Sequence, residues 1–178
     1  MKKTNKKSGS AAKTKINSLH QCLIIKLKAL YDIEQQLVKA LPKMAKKAKS
    51  PELQQAFIDH LAETEGHVRR LEASFDQLVE KPAKITVAAI RGLADDAAWV
   101  MEQKGSDAAY DSLLIASAQY VEFYEMAGYM SAIEWAEKLG YTEVAQNLQA
   151  TLAEEEAADD TLSNIAQKVN VEATLPQD

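Results

Sequence analysis

Acidic residues and histidines interrupt the apolar stripes of four predicted helices, at positions that should face a core. Residues three or four apart share one face of a helix, so each helix directs its polar residues into the same interior. A carboxylate in an apolar interior is costly unless a cation meets it there, and a metal ion pair inside a helix bundle provides a shared cation. The candidate ligands are Glu34 in the first long helix, His60 and Glu63 in the second, Glu122 and Glu125 in the third, and Glu155 and Asp159 in the fourth.

The residue types and their spacing also indicate which metal the site would hold. Carboxylate oxygens with one or two imidazoles suit iron or manganese better than zinc or copper. Ligands on two levels of each helix suit two ions about 3.5–4 Å apart that are bridged by carboxylates. We therefore expect two iron or manganese ions per chain, with open positions that bind dioxygen or peroxide. The pattern disfavours His67 as a further ligand, because it lies at the edge of its stripe with Arg69 and Arg70 nearby, and whether it binds the metal is left open.

A simpler interpretation applies to each carboxylate taken alone. A single acid on a predicted inner face is often part of a buried ion pair, and such a pair requires a visible cationic partner. If the acids pair with basic side chains, the protein has a structural role and holds at most a weak divalent ion. The candidate counter-ions are Lys26, Lys28, Arg69, Arg70 and Arg91.

The elements that must position these residues are five predicted helices. Apolar spacing of three or four predicts them at about 17–48, 50–80, 86–104, 106–139 and 142–169, and no segment alternates as a strand does. The predicted N-caps are Asn17 or Ser18, Ser50, and Ser106 or Asp107, and Gly140 stops the fourth helix. Pro42 predicts a kink or a bulge in the first helix.

The lengths of the connections predict the topology. Short connections make two antiparallel hairpins, and the longer segment between them carries the chain across the bundle. We therefore predict an all-α, ferritin-like four-helix bundle with a short extra helix in the crossover between helices two and three. The bundle should occupy residues 17–170, between a disordered basic tail at 1–16 and a flexible C-terminal tail at 171–178.

Charge and hydropathy limit the partners. The net charge is −5, but residues 1–15 contain six lysines and no acid, which leaves −11 for the rest. An acidic body repels phosphates, so a nucleic-acid contact would have to come through the basic tail. No apolar run approaches the ~20 residues that span a bilayer, and the N-terminus lacks the apolar segment of a secretory signal. We expect no membrane partner and a cytoplasmic location.

Four segments of the chain carry a further signal, namely LYDIEQQLVKALPKMA, SPELQQAFIDHLAETEGHVRRLE, AQYVEFYEMAGY and TLAEEEAADDTLSNIA. They resemble the YciE/YciF family of stress-induced, ferritin-like bacterial proteins, in which they occur in the same order and with similar spacing. The resemblance covers roughly residues 18–168.

The resemblance implies an all-α dimer related to rubrerythrins and other diiron bundles, a role in stress, and ferroxidase-like or peroxide-consuming activity. It also implies that the seven candidate ligands form the metal site. The chain departs from the wider superfamily at His60-x-x-Glu63, which reverses the usual Glu-x-x-His order, and at Glu155-x-x-x-Asp159, which lacks a histidine. Family members often carry histidine where Phe123 stands. The alternative is a non-catalytic helical dimer with at most a weak divalent-ion site.

Overall fold

The computed structural model describes residues 16–175. Apart from residue 16, the predicted basic tail and the nucleic-acid contact assigned to it lie outside this range, as do the last three residues. The described residues form five α-helices and no strand. The helices are α1 (Leu19–Lys47), α2 (Pro51–Gln77), α3 (Ala88–Met101), α4 (Asp107–Lys138) and α5 (Thr142–Ala173).

Side-chain caps begin three of the long helices. The hydroxyls of Ser18, Ser50 and Ser106 each accept a hydrogen bond from the backbone N–H three residues ahead, which satisfies a donor that has no partner within the helix. Gly140 follows α4 with φ of 76°, a conformation that glycine adopts without strain. Helix α1 continues through Pro42.

The last helix is longer than its sequence pattern predicts. It ends at Ala173, whereas the pattern predicts an end at about residue 169. Val169 is buried and Ala173 packs against the same apolar cluster, so burial of the final turn extends the helix.

The helices pack as two hairpins, α1 on α2 and α4 on α5. Contacts of α2 with α5 and of α1 with α4 close the bundle, and α3 lies in the crossover against α4 and α1. This is the predicted ferritin-like arrangement, a four-helix bundle with a short extra helix between the second and third long helices. None of the helices within residues 16–175 combines the length and the apolar character needed to span a bilayer.

Two apolar clusters occupy the two ends of the bundle. One contains Leu41, Phe57 and Leu162, and the other contains Phe75 and Leu148. Each fully buried Leu or Phe stabilises the fold by roughly 1.5–3 kcal/mol. On all four long helices, buried polar side chains lie between the residues of one cluster and those of the other. The bundle therefore contains a polar layer midway along its length. Burial of the two apolar clusters must offset the free-energy cost of burying these polar side chains.

A buried carboxylate fixes the turn between α1 and α2 to α4. The backbone N–H groups of Lys49 and Ser50 donate to the two Asp111 oxygens at 2.8 and 2.7 Å. Asp111 is almost fully buried. These charge-assisted bonds connect the first hairpin to the second and thereby help to align their polar residues.

Candidate metal centre

The polar layer contains six titratable side chains contributed by the four long helices. Four of the six have no exposed surface, and the most exposed of them, His60, is 6% exposed. They face one another because each replaces an apolar residue on the inner stripe of its helix. The six residues are Glu34, His60, His67, Glu122, Glu125 and Glu155.

Five of these residues form two overlapping groups. Glu34 and His67 form one group with Glu155, and His60 and Glu122 form the other with the same glutamate. Within each group, one ligand atom per residue lies within 4.8 Å of the others. Glu155 therefore stands between two adjacent positions, each surrounded by potential ligands.

The distances show how closely the side chains converge. Nδ1 of His67 lies 3.3 Å from Oε2 of Glu34 and 3.1 Å from Oε1 of Glu155. Nε2 of His60 lies 3.5 Å from Oε1 of Glu122 and 3.7 Å from Oε2 of Glu155. The two imidazole rings are 6.1 Å apart between centroids.

Many of the oxygen and nitrogen atoms in this layer that could ligate a metal ion have no hydrogen-bond partner. These atoms are buried, and leaving them without a partner costs free energy unless a cation binds there. A set of carboxylates with two imidazoles fits divalent iron or manganese. The unpartnered atoms are Nε2 of His60, Oε2 of Glu122 and both carboxylate oxygens of Glu125 and of Glu155.

The structure also bears on the interpretation as buried ion pairs. Within residues 16–175, no lysine or arginine forms an ion pair with Glu34, Glu122, Glu125 or Glu155, and their cationic neighbours are the two histidines. Arg70 reaches the layer only through Glu154. Within the described residues, these carboxylates thus lack the lysine and arginine partners that this interpretation proposed, and only the two histidines can supply positive charge.

Burial and mutual proximity shift the protonation of the layer. Burial raises the pKa of Glu122 to about 8, and it raises the pKa of Glu34 and of Glu125 as well. Burial lowers the pKa of both histidines, but neighbouring carboxylates outweigh it and raise the values to about 9 for His60 and about 10 for His67. The layer therefore retains protons at neutral pH unless a metal ion displaces them.

Two predicted ligands lie outside the groups. Oε2 of Glu63 contacts Nδ1 of His60 at 3.3 Å, and 44% of its side chain is exposed. Asp159 is half-buried, and its Oδ1 accepts a hydrogen bond from Nε2 of Gln119 at 2.8 Å. Glu125 is fully buried in the layer but belongs to neither group of three.

The structure adds residues that the sequence analysis left open or did not select. His67 joins one group, and its position seven residues after His60 places both on one face of α2. Nε2 of His67 lies 2.9 Å from Oε2 of Glu154, whose carboxylate also pairs with Arg70. The Tyr129 hydroxyl donates to Glu34. The available signal for Tyr129 is its position four residues after Glu125 on the same inner stripe.

Comparisons with known proteins identify the family. The model of the family described as "Domain of unknown function (DUF892)" matches residues 18–174. Protein YciF of Escherichia coli (strain K12) is 37% identical over 156 residues, which cover 85% of this chain and 92% of that protein.

Two solved structures are similar in sequence and fold. The crystal structure of the E. coli stress protein YciF superposes with a TM-score of 0.83 at 35% identity and covers 86% of this chain and 98% of the other. YcfI from Rhodopseudomonas palustris, named as a candidate structural protein, gives a TM-score of 0.80 at 36% identity and covers 83% and 94%. The chain therefore belongs to the DUF892 family, in agreement with its resemblance to YciE and YciF.

Proposed function

We propose that this protein is a stress-related, ferritin-like protein that binds two iron or manganese ions in its polar layer. The observation that supports this most directly is the set of buried donor atoms without hydrogen-bond partners around Glu155. A role in stress is consistent with the description of the E. coli relative as a stress protein. A cytoplasmic location remains a prediction from the sequence.

The two groups suggest how the ions would be held. Glu34 and His67 would hold one ion, His60 and Glu122 would hold the other, and Glu155, which belongs to both groups, would contribute to both positions. The fully buried Glu125 carboxylate would supply a further ligand within the layer. The predicted ligands Glu63 and Asp159 remain candidates that would have to turn inward.

Outer carboxylates would orient the two histidines. A proton on Nδ1 of His60, donated to Glu63, leaves Nε2 free to bind a metal ion, and a proton on Nε2 of His67, donated to Glu154, leaves Nδ1 free. A carboxylate on the second nitrogen fixes the tautomer and the ring orientation of a metal-binding histidine. The Tyr129 hydroxyl holds Glu34 in the same way, by donating to one of its oxygens.

The reaction we propose is ferroxidase-type oxidation of Fe(II), in which dioxygen or peroxide accepts the electrons and is reduced. A bound iron or manganese pair supplies one-electron redox chemistry that no side chain of the layer has. The protein residues would bind and orient the ions, and the two apolar clusters flank the layer toward the two ends of the bundle.

The second candidate is a non-catalytic structural protein with at most a weak divalent-ion site. It is favoured by the name of the R. palustris relative. It requires that the buried carboxylates be stabilised without metal, either because they are protonated or because they pair with the two histidines.

Metal loading separates the two candidates. The protein would be loaded with Fe(II) without oxygen, freed of unbound metal and then exposed to oxygen. Two ions per chain and a ferric absorption band on exposure would support the oxidase. One weakly held ion, or none, would support the structural protein.

The homodimer implied by the family resemblance is also part of the proposal. Four large apolar side chains are exposed on the outer face of α4, namely those of Leu113, Tyr120, Phe123 and Met130. With Ala116 and Ala127 they recur every three or four residues, as in the seam of a coiled coil. A second copy of α4 would cover this stripe, and Phe123→Asp should shift the sedimentation coefficient from that of a dimer to that of a monomer.

A further inference from the structure

A cavity of about 230 Å³ leads from the surface between α2 and α5 to one side of the polar layer. Its inner wall includes His60 and Glu122, which are both buried, and its outer part includes Asp59 and Glu63, which are exposed. The residues that line it, all within the described part of the chain, include no lysine or arginine. The cavity thus connects solvent to the layer along an acidic path.

Two unpartnered atoms mark its inner end. Nε2 of His60 and Oε2 of Glu122 are buried without hydrogen-bond partners, and both residues line the cavity. Glu63 connects the two ends, because its carboxylate contacts Nδ1 of His60 while 44% of its side chain is exposed. An ion held at the mouth would therefore be one side chain away from a buried ligand.

The other sides of the layer are less suitable for a cation. At the His67 side, the Arg70 guanidinium binds Glu154 and also donates to Thr151, which places a positive charge at that end. A second cavity of about 50 Å³, which reaches Glu122 from α1, α3 and α4, is lined mostly by apolar side chains. An apolar passage does not replace the water that a cation loses.

We propose that the cavity between α2 and α5 is the entrance through which a divalent cation reaches the layer, with Asp59 and Glu63 attracting the ion and His60 receiving it. The inference rests on the proposed metal centre, and it specifies where the centre is loaded. Fixed negative charge at the mouth of a cleft raises the association rate of a cation, and salt screens this effect.

Two variants test the entrance without altering any residue of the two groups. Ala158 lines the cavity, so Ala158→Leu should narrow it, whereas Ala150→Leu makes the same change at an exposed position of α5 outside the cavity. Asp59→Asn removes a charge at the mouth and adds no volume. The full-length protein would be mixed with Co(II) in a stopped-flow instrument, and the bound metal would be counted separately after equilibration.

The entrance predicts slower loading with unchanged final stoichiometry. Ala158→Leu should slow the uptake of cobalt by at least about tenfold, and Asp59→Asn by about threefold at low ionic strength, with a difference that disappears at high salt. Ala150→Leu should load at the parental rate. If Ala158→Leu also lowers the final stoichiometry, the uptake rate of Asp59→Asn becomes the test of the entrance, because this variant leaves the packing unchanged.

Parental loading rates in both cavity variants, with full stoichiometry, would overturn the entrance and leave the metal centre intact. A parental protein that takes up no cobalt at equilibrium would overturn the metal centre, and the entrance with it. The rate and the stoichiometry therefore separate the two failures.

Discussion

Glu155→Gln tests the residue on which both metal positions depend. The side chain has no exposed surface, and neither oxygen has a hydrogen-bond partner, although the histidines of the two groups lie 3.1 and 3.7 Å away. The amide keeps the size and shape of the carboxylate but removes its charge and one acceptor oxygen. Because Glu155 belongs to both groups, the change should weaken both positions.

The expected loss can be estimated from the affinity that a ligand supplies. Removal of a mere outer partner costs 10–100-fold in metal affinity, so loss of a shared carboxylate should cost at least about 100-fold, or roughly 2.7 kcal/mol. At a metal concentration of about 100 times Kd, binding stabilises the parental fold by roughly 2.7 kcal/mol per site. In a domain of this size, each occupied site therefore raises Tm by about 5–11 °C. At the same concentration each weakened site of the variant should raise Tm by only about 1–2 °C.

The assay is thermal unfolding of the metal-free protein with increasing Mn(II), together with a count of bound metal. Glu156→Gln is the matched control, because it makes the same change at the next residue, which is exposed. The control should gain as much Tm as the parent. An unchanged metal stoichiometry and an unchanged Tm increment in Glu155→Gln would refute the shared-ligand assignment. A higher Tm of the metal-free variant, with no metal effect in either protein, would favour the structural alternative, because removal of an unpaired buried acid stabilises a fold.

Three further predictions concern pH, packing and the hairpin connection. The pKa of Glu122 is raised to about 8 in the folded protein, so the stability of the metal-free protein should fall as pH rises from about 4.5 through 8. Over the same range the stabilisation by Mn(II) should grow, because fewer protons have to leave when the metal binds. If Mn(II) raises the free energy of urea unfolding equally at pH 6 and at pH 8, this prediction is wrong. A methyl group at Gly128 would lie 2.8 Å from the buried Leu30 side chain, so Gly128→Ala should lower the free energy of unfolding by about 1–3 kcal/mol. The control, Gly92→Ala, places its methyl group in open space on α3 and should raise the free energy of unfolding by about 0.5–1 kcal/mol. A change of the same sign in both variants would refute the packing argument. Asp111→Ala should cost roughly 3–5 kcal/mol in chemical denaturation, because two backbone N–H groups lose the charged acceptor that a buried carboxylate provides. Asp111→Asn keeps one acceptor oxygen and should cost about half. A loss below about 1 kcal/mol in the alanine variant would show that the two N–H groups of the turn find other partners.

The architecture follows from the pattern of residues along the chain. The period of an α-helix fixes which residues share a face, so the apolar stripes predict the number and order of the helices, and the short connections predict the two hairpins. Local chemistry fixes the helix starts at Ser18, Ser50 and Ser106, because a cap bonds only to its own first turn. The same periodicity placed Glu34 and Glu155 on inner faces, and the structure brings both into the polar layer.

Which of the inner residues meet depends on how the helices pack against one another. A stripe is wide enough to include residues that point toward different neighbours, and the rotation and axial shift of each helix depend on packing across the whole bundle. His67 and Asp159 show the difference: the histidine at the edge of its stripe reaches Glu34 and Glu155, whereas the aspartate one turn beyond Glu155 bonds to Gln119. The pattern of one helix contains no information on the distance to another, and that distance decides whether carboxylates on separate helices form one site.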